Sequence, residues 1–232
     1  MPSVLITGSN RGLGLEWARQ YAEADWRVYA TCRRPDLATE LDRLAADHAQ
    51  LSIHRLDVTE PGTLKAAAAA VGRRGLDLLV NNAGVYFERW GKDVLGKVDY
   101  RDWEQTFRVN ALGAPRVTEA LVEALARGTR PLVVAITSHM GSIADITSPR
   151  DYAYRSSKAA LNAAMKGLSL ELAPRGIGVL LLHPGWVRTR RGGSSAPLTA
   201  EQSVTAMRGL VENFQASQSG TFLRYDGSVI PW

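Results

Sequence analysis

The sequence predicts a doubly wound α/β domain: a parallel sheet of about seven strands with helices on both faces. Three observations lead there. Short, nearly all-apolar runs recur along the chain, as strands covered on both faces require. Stretches of helical character separate them. The first run opens into a glycine-rich turn, and a helix pattern follows.

The first strand is 3–7 (SVLIT), followed by a helix pattern over 13–24. The second strand is 26–31 (WRVYAT), then come a helix over 37–48 and a third strand over 51–56. Thr59-Glu60-Pro61 reads as a helix start, a threonine cap with proline shortly inside it, and alanine-rich 63–71 continues that helix. The fourth and fifth strands are 76–80 (LDLLV) and 131–136 (PLVVAI), with helical stretches near 100–111 and 115–127 between them. A long helix over 153–173 stops at Pro174-Arg175-Gly176. The sixth strand is 178–182, a further helix runs over 199–215, and 221–225 is a short last strand. No internal repeat interrupts this series, so residues 1–232 are expected to form a single domain.

With 232 residues, 45% hydrophobic and 22% charged, the composition is that of an ordinary globular protein. A core of this size holds without staples. The one cysteine, Cys32, excludes an internal disulfide and suits a reducing compartment. His48, His54, His139 and His183 are scattered without metal-ligand spacing, so no metal is expected. No window approaches about 18 uninterrupted apolar residues, and no basic segment leads into an apolar one at the start. The cytosol is the expected compartment, with no membrane partner. The net charge is +5, but the basic residues are dispersed and not interleaved with aromatics. That argues against nucleic acid and suits an anionic cofactor.

The first strand runs into Thr7-Gly8-Ser9-Asn10-Arg11-Gly12-Leu13-Gly14, a Rossmann-type phosphate loop in the right context. Gly8 can make the tight turn, Gly12 lets backbone approach a pyrophosphate, and Gly14 lets helix and strand pack closely. The helix N-terminus then offers free N–H groups and partial positive charge. Some 20 residues on, where an acid would hold the ribose 2′-hydroxyl of NAD, stands Cys32, followed by Arg33 and Arg34. A guanidinium there would grip a 2′-phosphate. Arg33 directly follows the acid position, and Arg11 could reach the same phosphate. NADP(H) is therefore favoured, with NAD(H) as the alternative. Arg34 and Arg33 read as plain solvated charges otherwise.

Further motifs follow in order: Asp57-Val58 after the third strand, Asn81-Asn82-Ala83-Gly84 after the fourth, Asn110 in a helix and Ser138 after the fifth strand. Tyr154-x3-Lys158 opens the long helix, and Pro184-Gly185 follows the sixth strand. This ordered set resembles the short-chain dehydrogenases/reductases over residues 3–189. The C-terminal Tyr225-Asp226-Gly227-Ser228 and Pro231-Trp232 look like that family's C-factor and sniffer-type carbonyl reductase branch. The resemblance implies an NADP(H)-dependent oxidoreductase acting on a small carbonyl or alcohol. It implies that Asp57 and Val58 contact the adenine, that Asn81, Ala83 and Gly84 line the adenosine ribose, and that Val187 and Thr189 hold the nicotinamide carboxamide beside Pro184 and Gly185. Asn110 would complete a proton path through water and Lys158.

Carbonyl reduction needs a hydride and a proton donor within about 3 Å of the oxygen. A phenol is a poor base at its ordinary pKa near 10, but a nearby cation favours the phenolate. Tyr154 and Lys158, four apart on a helix, share a face, so Lys158 can assist Tyr154 and bond the nicotinamide ribose. Ser138 would steady the carbonyl oxygen as charge develops. Tyr152 lacks such a partner, since Ser156 stands four residues on. Tyr86, Trp90, His139, Met140 and Trp186 could be pocket wall or packing, and His183 reads as a satisfied core histidine.

Two other readings exist. A non-enzymatic NADP-binding regulator on this fold would be expected to lose part of the Ser–Tyr–Lys set. A sugar-nucleotide epimerase or dehydratase would need a C-terminal substrate domain, and only about 40 residues follow Thr189. The 190–197 loop, RRGGSSAP, is either a solvated linker or a flap over the site. Its Arg190-Arg191 departs from the acidic or apolar pair usual in the branch, which puts substrate range in doubt. Its shortness suggests an open pocket. The oligomeric state is left open between monomer, dimer and tetramer.

Overall fold

A computed structural model describes residues 1–88 and 94–232. The strands are β1 (Ser3–Thr7), β2 (Arg27–Cys32), β3 (Leu51–Arg55), β4 (Leu78–Asn81), β5 (Leu132–Ile136), β6 (Gly178–His183) and β7 (Thr221–Arg224). The helices are α1 (Gly12–Glu23), α2 (Thr39–Asp47), α3 (Pro61–Val71), α4 (Tyr100–Asn110), α5 (Gly113–Leu125), α6 (Tyr152–Leu172) and α7 (Ala200–Glu212). One seven-stranded sheet has the order β3-β2-β1-β4-β5-β6-β7, and every neighbouring pair is parallel. The order reverses between β1 and β4, and ligands of such sheets bind in the crevice outside the carboxyl ends of the strands at that point.

Strand periodicity sorts the core into two layers. On one face Leu5, Leu79, Val133 and Leu181 pack with Leu64 of α3, Val109 of α4, Leu121 of α5, and Leu161 and Met165 of α6. On the other, Val4, Ile6, Val80, Val134 and Leu182 pack with Trp17 and Tyr21 of α1, Leu41 of α2 and Met207 of α7. This double cover is why the strands read as continuous apolar runs.

Most expected elements lie within two residues of their place. Thr199 caps α7, accepting from the N–H of Gln202 at 3.0 Å. Thr59 departs from its expected role. The N-cap of α3 is Glu60, and Thr59 instead donates from its N–H and hydroxyl to Asp57 Oδ1, at 2.8 and 2.7 Å. An aspartate two residues upstream offers a local turn that competes with capping.

Candidate active site

The carboxyl ends of β1 and β4 are laced together around the glycine loop. Thr7 Oγ1 accepts from the N–H groups of Asn82 and Ala83, at 3.0 and 2.9 Å. Asn82 Nδ2 donates back to the carbonyls of Thr7 and Gly8, at 2.9 and 3.2 Å. Ser9, fully buried, donates from its N–H to the Thr31 carbonyl at 2.8 Å, joining the loop to β2. A Cβ at Gly14 would stand 2.2 Å from the Gly8 carbonyl oxygen, so only glycine fits there. Gly12 adopts φ +57°, and a Cβ there would lie 3.6 Å from the Thr189 methyl carbon. The loop after β6 thus meets the start of α1, just past the loop after β1.

The N-terminus of α1 is free to receive an anion. Arg11 is its N-cap and makes no capping hydrogen bond, and no acid stands in the first turn. Burial, then the charges of Arg190, Arg33 and Arg191, hold the Arg11 guanidinium below its ordinary pKa. Arg33 is exposed and unpaired among the described residues, whereas Arg34 is engaged by Asp36 at 3.0 Å. Such a cationic donor set fits the phosphates of a dinucleotide. Nearby, Asp57 is half-buried in its turn with Thr59, and buried Val58 packs against Gly113. Asn81 is buried, donates to Thr118 Oγ1 at 3.2 Å, and leaves its Oδ1 without a partner.

At the ends of β5 and β6 the remaining groups converge. Ser138 is 8% exposed, Tyr154 6% and Lys158 3%. Lys158 Nζ donates to the Ile136 carbonyl at 2.8 Å and lies 5.9 Å from the centre of the Tyr154 ring. Burial first, and Arg191 second, push Lys158 down to about 7. Ser138 Oγ accepts from the Met140 N–H at 3.2 Å. Gly141 lets that segment lie on α6, since a Cβ there would come within 3.0 Å of Lys158 Cβ. Asn110 spends its amide on Val85, accepting from its N–H at 2.7 Å and donating to its carbonyl at 2.9 Å, with Ser157 Oγ also at 3.1 Å. It thereby fixes the backbone just past Gly84.

Among the weaker candidates, Tyr86 meets Tyr154 edge to face at 5.1 Å and donates to Asp151 Oδ1. Trp186 is exposed and donates to the Gly192 carbonyl at 2.8 Å. His139 pairs with Asp145 at 2.7 Å. His183 is not the satisfied histidine expected. Its Nδ1 has no partner, and burial followed by the charge of His139 pushes it down to about 3. Trp90 lies outside the described residues. The 190–197 loop is no free linker: Val187 bridges Leu198, and Gly192 and Gly193 donate to Thr189.

The short chain dehydrogenase family profile matches residues 2–197. The chain belongs to the short-chain dehydrogenase family. The C-signal of Myxococcus xanthus is 44% identical over 169 residues, covering 73% of this chain and all of that relative. The NADPH-bound carbonyl reductase from chicken fatty liver superposes with a TM-score of 0.93 at 34% identity, covering 100% of this chain and 99% of that one. The carbonyl reductase Sniffer of D. melanogaster gives 0.92 at 32% identity, with full coverage of both chains. Among this short-chain dehydrogenase's described residues no helix is long and apolar enough to cross a membrane, and no group of three or more His, Cys, Asp or Glu among them could hold a metal ion.

Two residues of this short-chain dehydrogenase carry parts of the site that its motifs do not signal. Glu88 caps α6 from a distance, its carboxylate accepting from the N–H groups of Ala153 and Tyr154 at 2.9 and 3.0 Å. Arg191, marked in the sequence only as a departure, reaches Tyr154. Its Nη1 donates to the phenol oxygen at 3.4 Å and its Nη2 to the Gly84 carbonyl at 2.9 Å.

Proposed function

We propose that this short-chain dehydrogenase moves a hydride between NADP(H) and a carbonyl or alcohol substrate. The observation that carries the reading is one stripe of α6: a buried phenol and a buried ammonium one turn apart, facing the strand ends beside an anion-receptive loop. Gly8, Ser9, Asn10, Arg11, Gly12, Leu13 and Gly14 would hold the pyrophosphate, and Arg33 the 2′-phosphate. Asp57 and Val58 would meet the adenine, and Asn81, Ala83 and Gly84 the adenosine ribose. Pro184, Gly185, Val187 and Thr189 would meet the nicotinamide end. Bound there, the cofactor supplies or accepts the hydride.

The protein's own work is the proton. Tyr154 gives its hydroxyl proton to the carbonyl oxygen, or takes it back in the reverse direction. Lys158 stabilises the phenolate and would bond the ribose of the cofactor. Ser138 holds the oxygen as negative charge grows on it, and Asn110 positions this wall through Val85. The NADPH-bound and carbonyl reductase relatives support this assignment, and the basic 2′ side supports NADP(H) over NAD(H).

The test is absorbance of reduced nicotinamide with purified protein, NADPH or NADH, and a panel of ketones, aldehydes and quinones. Tyr154→Phe should lower turnover by about 10²–10⁴-fold; equal turnover by both proteins would sink the mechanism. The likeness to C-signal supports a second reading, a signalling protein on this fold. That reading gains if the wild type binds NADPH yet reduces nothing in the panel.

A further inference from the structure

Arg191 places a second cation on the Tyr154 ring. Its guanidinium carbon lies 5.5 Å from the ring centre, opposite in origin to Lys158, since it arrives from the loop after β6. No carboxylate among the described residues neutralises it. Arg19, Arg34, Arg55, Arg175 and Arg208 all have acidic partners. Arg191 has only the phenol oxygen and a backbone carbonyl. Two acids that contact α6 or Tyr86 are engaged elsewhere. Glu88 takes the N–H groups of α6, and Asp151 takes the Tyr86 hydroxyl. Arg191 also helps to depress Lys158, so the two cations repel one another across the site. An anion between them would relieve both.

We propose that Arg191 is a specificity residue selecting substrates with a carboxylate on the carbon next to the carbonyl, the 2-oxo acids. This rests on the reductase reading. The carbonyl oxygen must sit within about 2.6–3.2 Å of the Tyr154 hydroxyl. In a 2-oxo acid a carboxylate oxygen lies beside it, so a guanidinium already at that hydroxyl spans both in a planar, charge-assisted fork. In the step, the carbonyl carbon takes a hydride from the reduced nicotinamide and the oxygen takes the Tyr154 proton. The carbonyl becomes an alcohol, the nicotinamide is oxidised, the phenolate is reprotonated from solvent, and the carboxylate is unchanged. Arg11 stands on the phosphate loop itself, whereas Arg191 makes one of its two bonds to the reacting phenol.

The experiment compares wild type and Arg191→Met with NADPH and two probes of one shape, benzoylformate and its methyl ester. Wild type should prefer the acid. Arg191→Met should lower kcat/KM for the acid by about a hundredfold more than for the ester and leave the NADPH Kd within about threefold. A readout free of turnover uses Tyr154→Phe with NADPH: calorimetry should detect benzoylformate binding there and lose it in the Arg191→Met double variant. Equal losses on acid and ester, or a weakened NADPH Kd with an unchanged acid-to-ester ratio, overturn the proposal and give the guanidinium to the cofactor. A wild type that reduces neutral carbonyls but not benzoylformate overturns it alone. A wild type that reduces no carbonyl takes the reductase reading down with it.

Discussion

Lys158→Met should remove the chemistry and stabilise the fold at acid pH. The ammonium is 3% exposed and held at about 7, down from an ordinary 10.5. At about 1.4 kcal/mol per pH unit, a depression of that size sets the cost of keeping the charge buried at about 5 kcal/mol. Below about pH 7 both folded and unfolded chains carry the proton, and the cost is fully present. Between about 7 and 10.5 the unfolded chain keeps the proton while the folded one has released it, so wild-type stability rises with pH. From pH 6 to pH 9 that rise is about 2–3 kcal/mol. Methionine matches the stem and carries no charge, but it leaves the Ile136 carbonyl without its 2.8 Å donor, a loss of about 1–3 kcal/mol. The variant should therefore be more stable by about 2 kcal/mol near pH 6, with the advantage gone near pH 9. At about 2–4 °C per kcal/mol for a chain this long, the Tm difference should fall by about 5–10 °C across that range. Thermal unfolding of cofactor-free wild type and variant at the two pH values measures it. A variant less stable at both, or a difference that does not move with pH, would refute the account of the buried charge.

Arg33→Asp should weaken NADPH binding by about 10- to 100-fold and spare NADH; fluorescence titration that shows equal losses removes Arg33 from the 2′ side. Gly14→Ala forces a Cβ to 2.2 Å from the Gly8 carbonyl oxygen, so stability should drop by about 1–3 kcal/mol, and denaturant titration without that loss would contradict the close approach. Glu88→Ala strips two N–H groups of α6 of their acceptor. It should cost about 1–2 kcal/mol, together with kcat, because one of those N–H groups belongs to Tyr154 itself; unchanged kcat with reduced stability would make the cap purely structural.

The motifs visible in the sequence are those whose parts are close in the chain or fixed by one element. Tyr154 and Lys158 are one helical turn apart, so their common face follows from period alone. The glycine loop is continuous, and each glycine has a stated steric reason. Contacts that join distant segments left no such mark. Glu88 meets Tyr154 across 66 positions from an irregular stretch, where neither period nor composition says which backbone groups it will find. Arg191 crosses 37 positions from a loop whose path is set by the Val187–Leu198 bridge. Thr59 went to Asp57 because a local side-chain turn outcompeted a cap. His183 has the apolar setting expected of a strand end, and His139, from another loop, stands 6.0 Å from its ring while its Nδ1 stays unpaired.

The stripe of α6 to which we assign the chemistry continues into the core, and that continuity explains how the helix sustains a buried cation. Tyr154 and Lys158 lie on the same face as Leu161, Met165 and Leu172, all buried. Those apolar side chains bind the helix to the sheet at about 1.5–3 kcal/mol each. The first turn is held separately, by Glu88 on its N–H groups. Past Lys158, Asn162 joins the helix to β5's end, accepting from Thr137 Oγ1 at 2.6 Å and donating to the Gly141 carbonyl at 3.3 Å. Ser138 lies inside the segment so gripped. A lysine opposed by desolvation would otherwise swing toward solvent or take the helix end with it. Here the apolar half of the stripe offsets that cost, and the polar ties leave the phenol, the serine and the ammonium little freedom to separate.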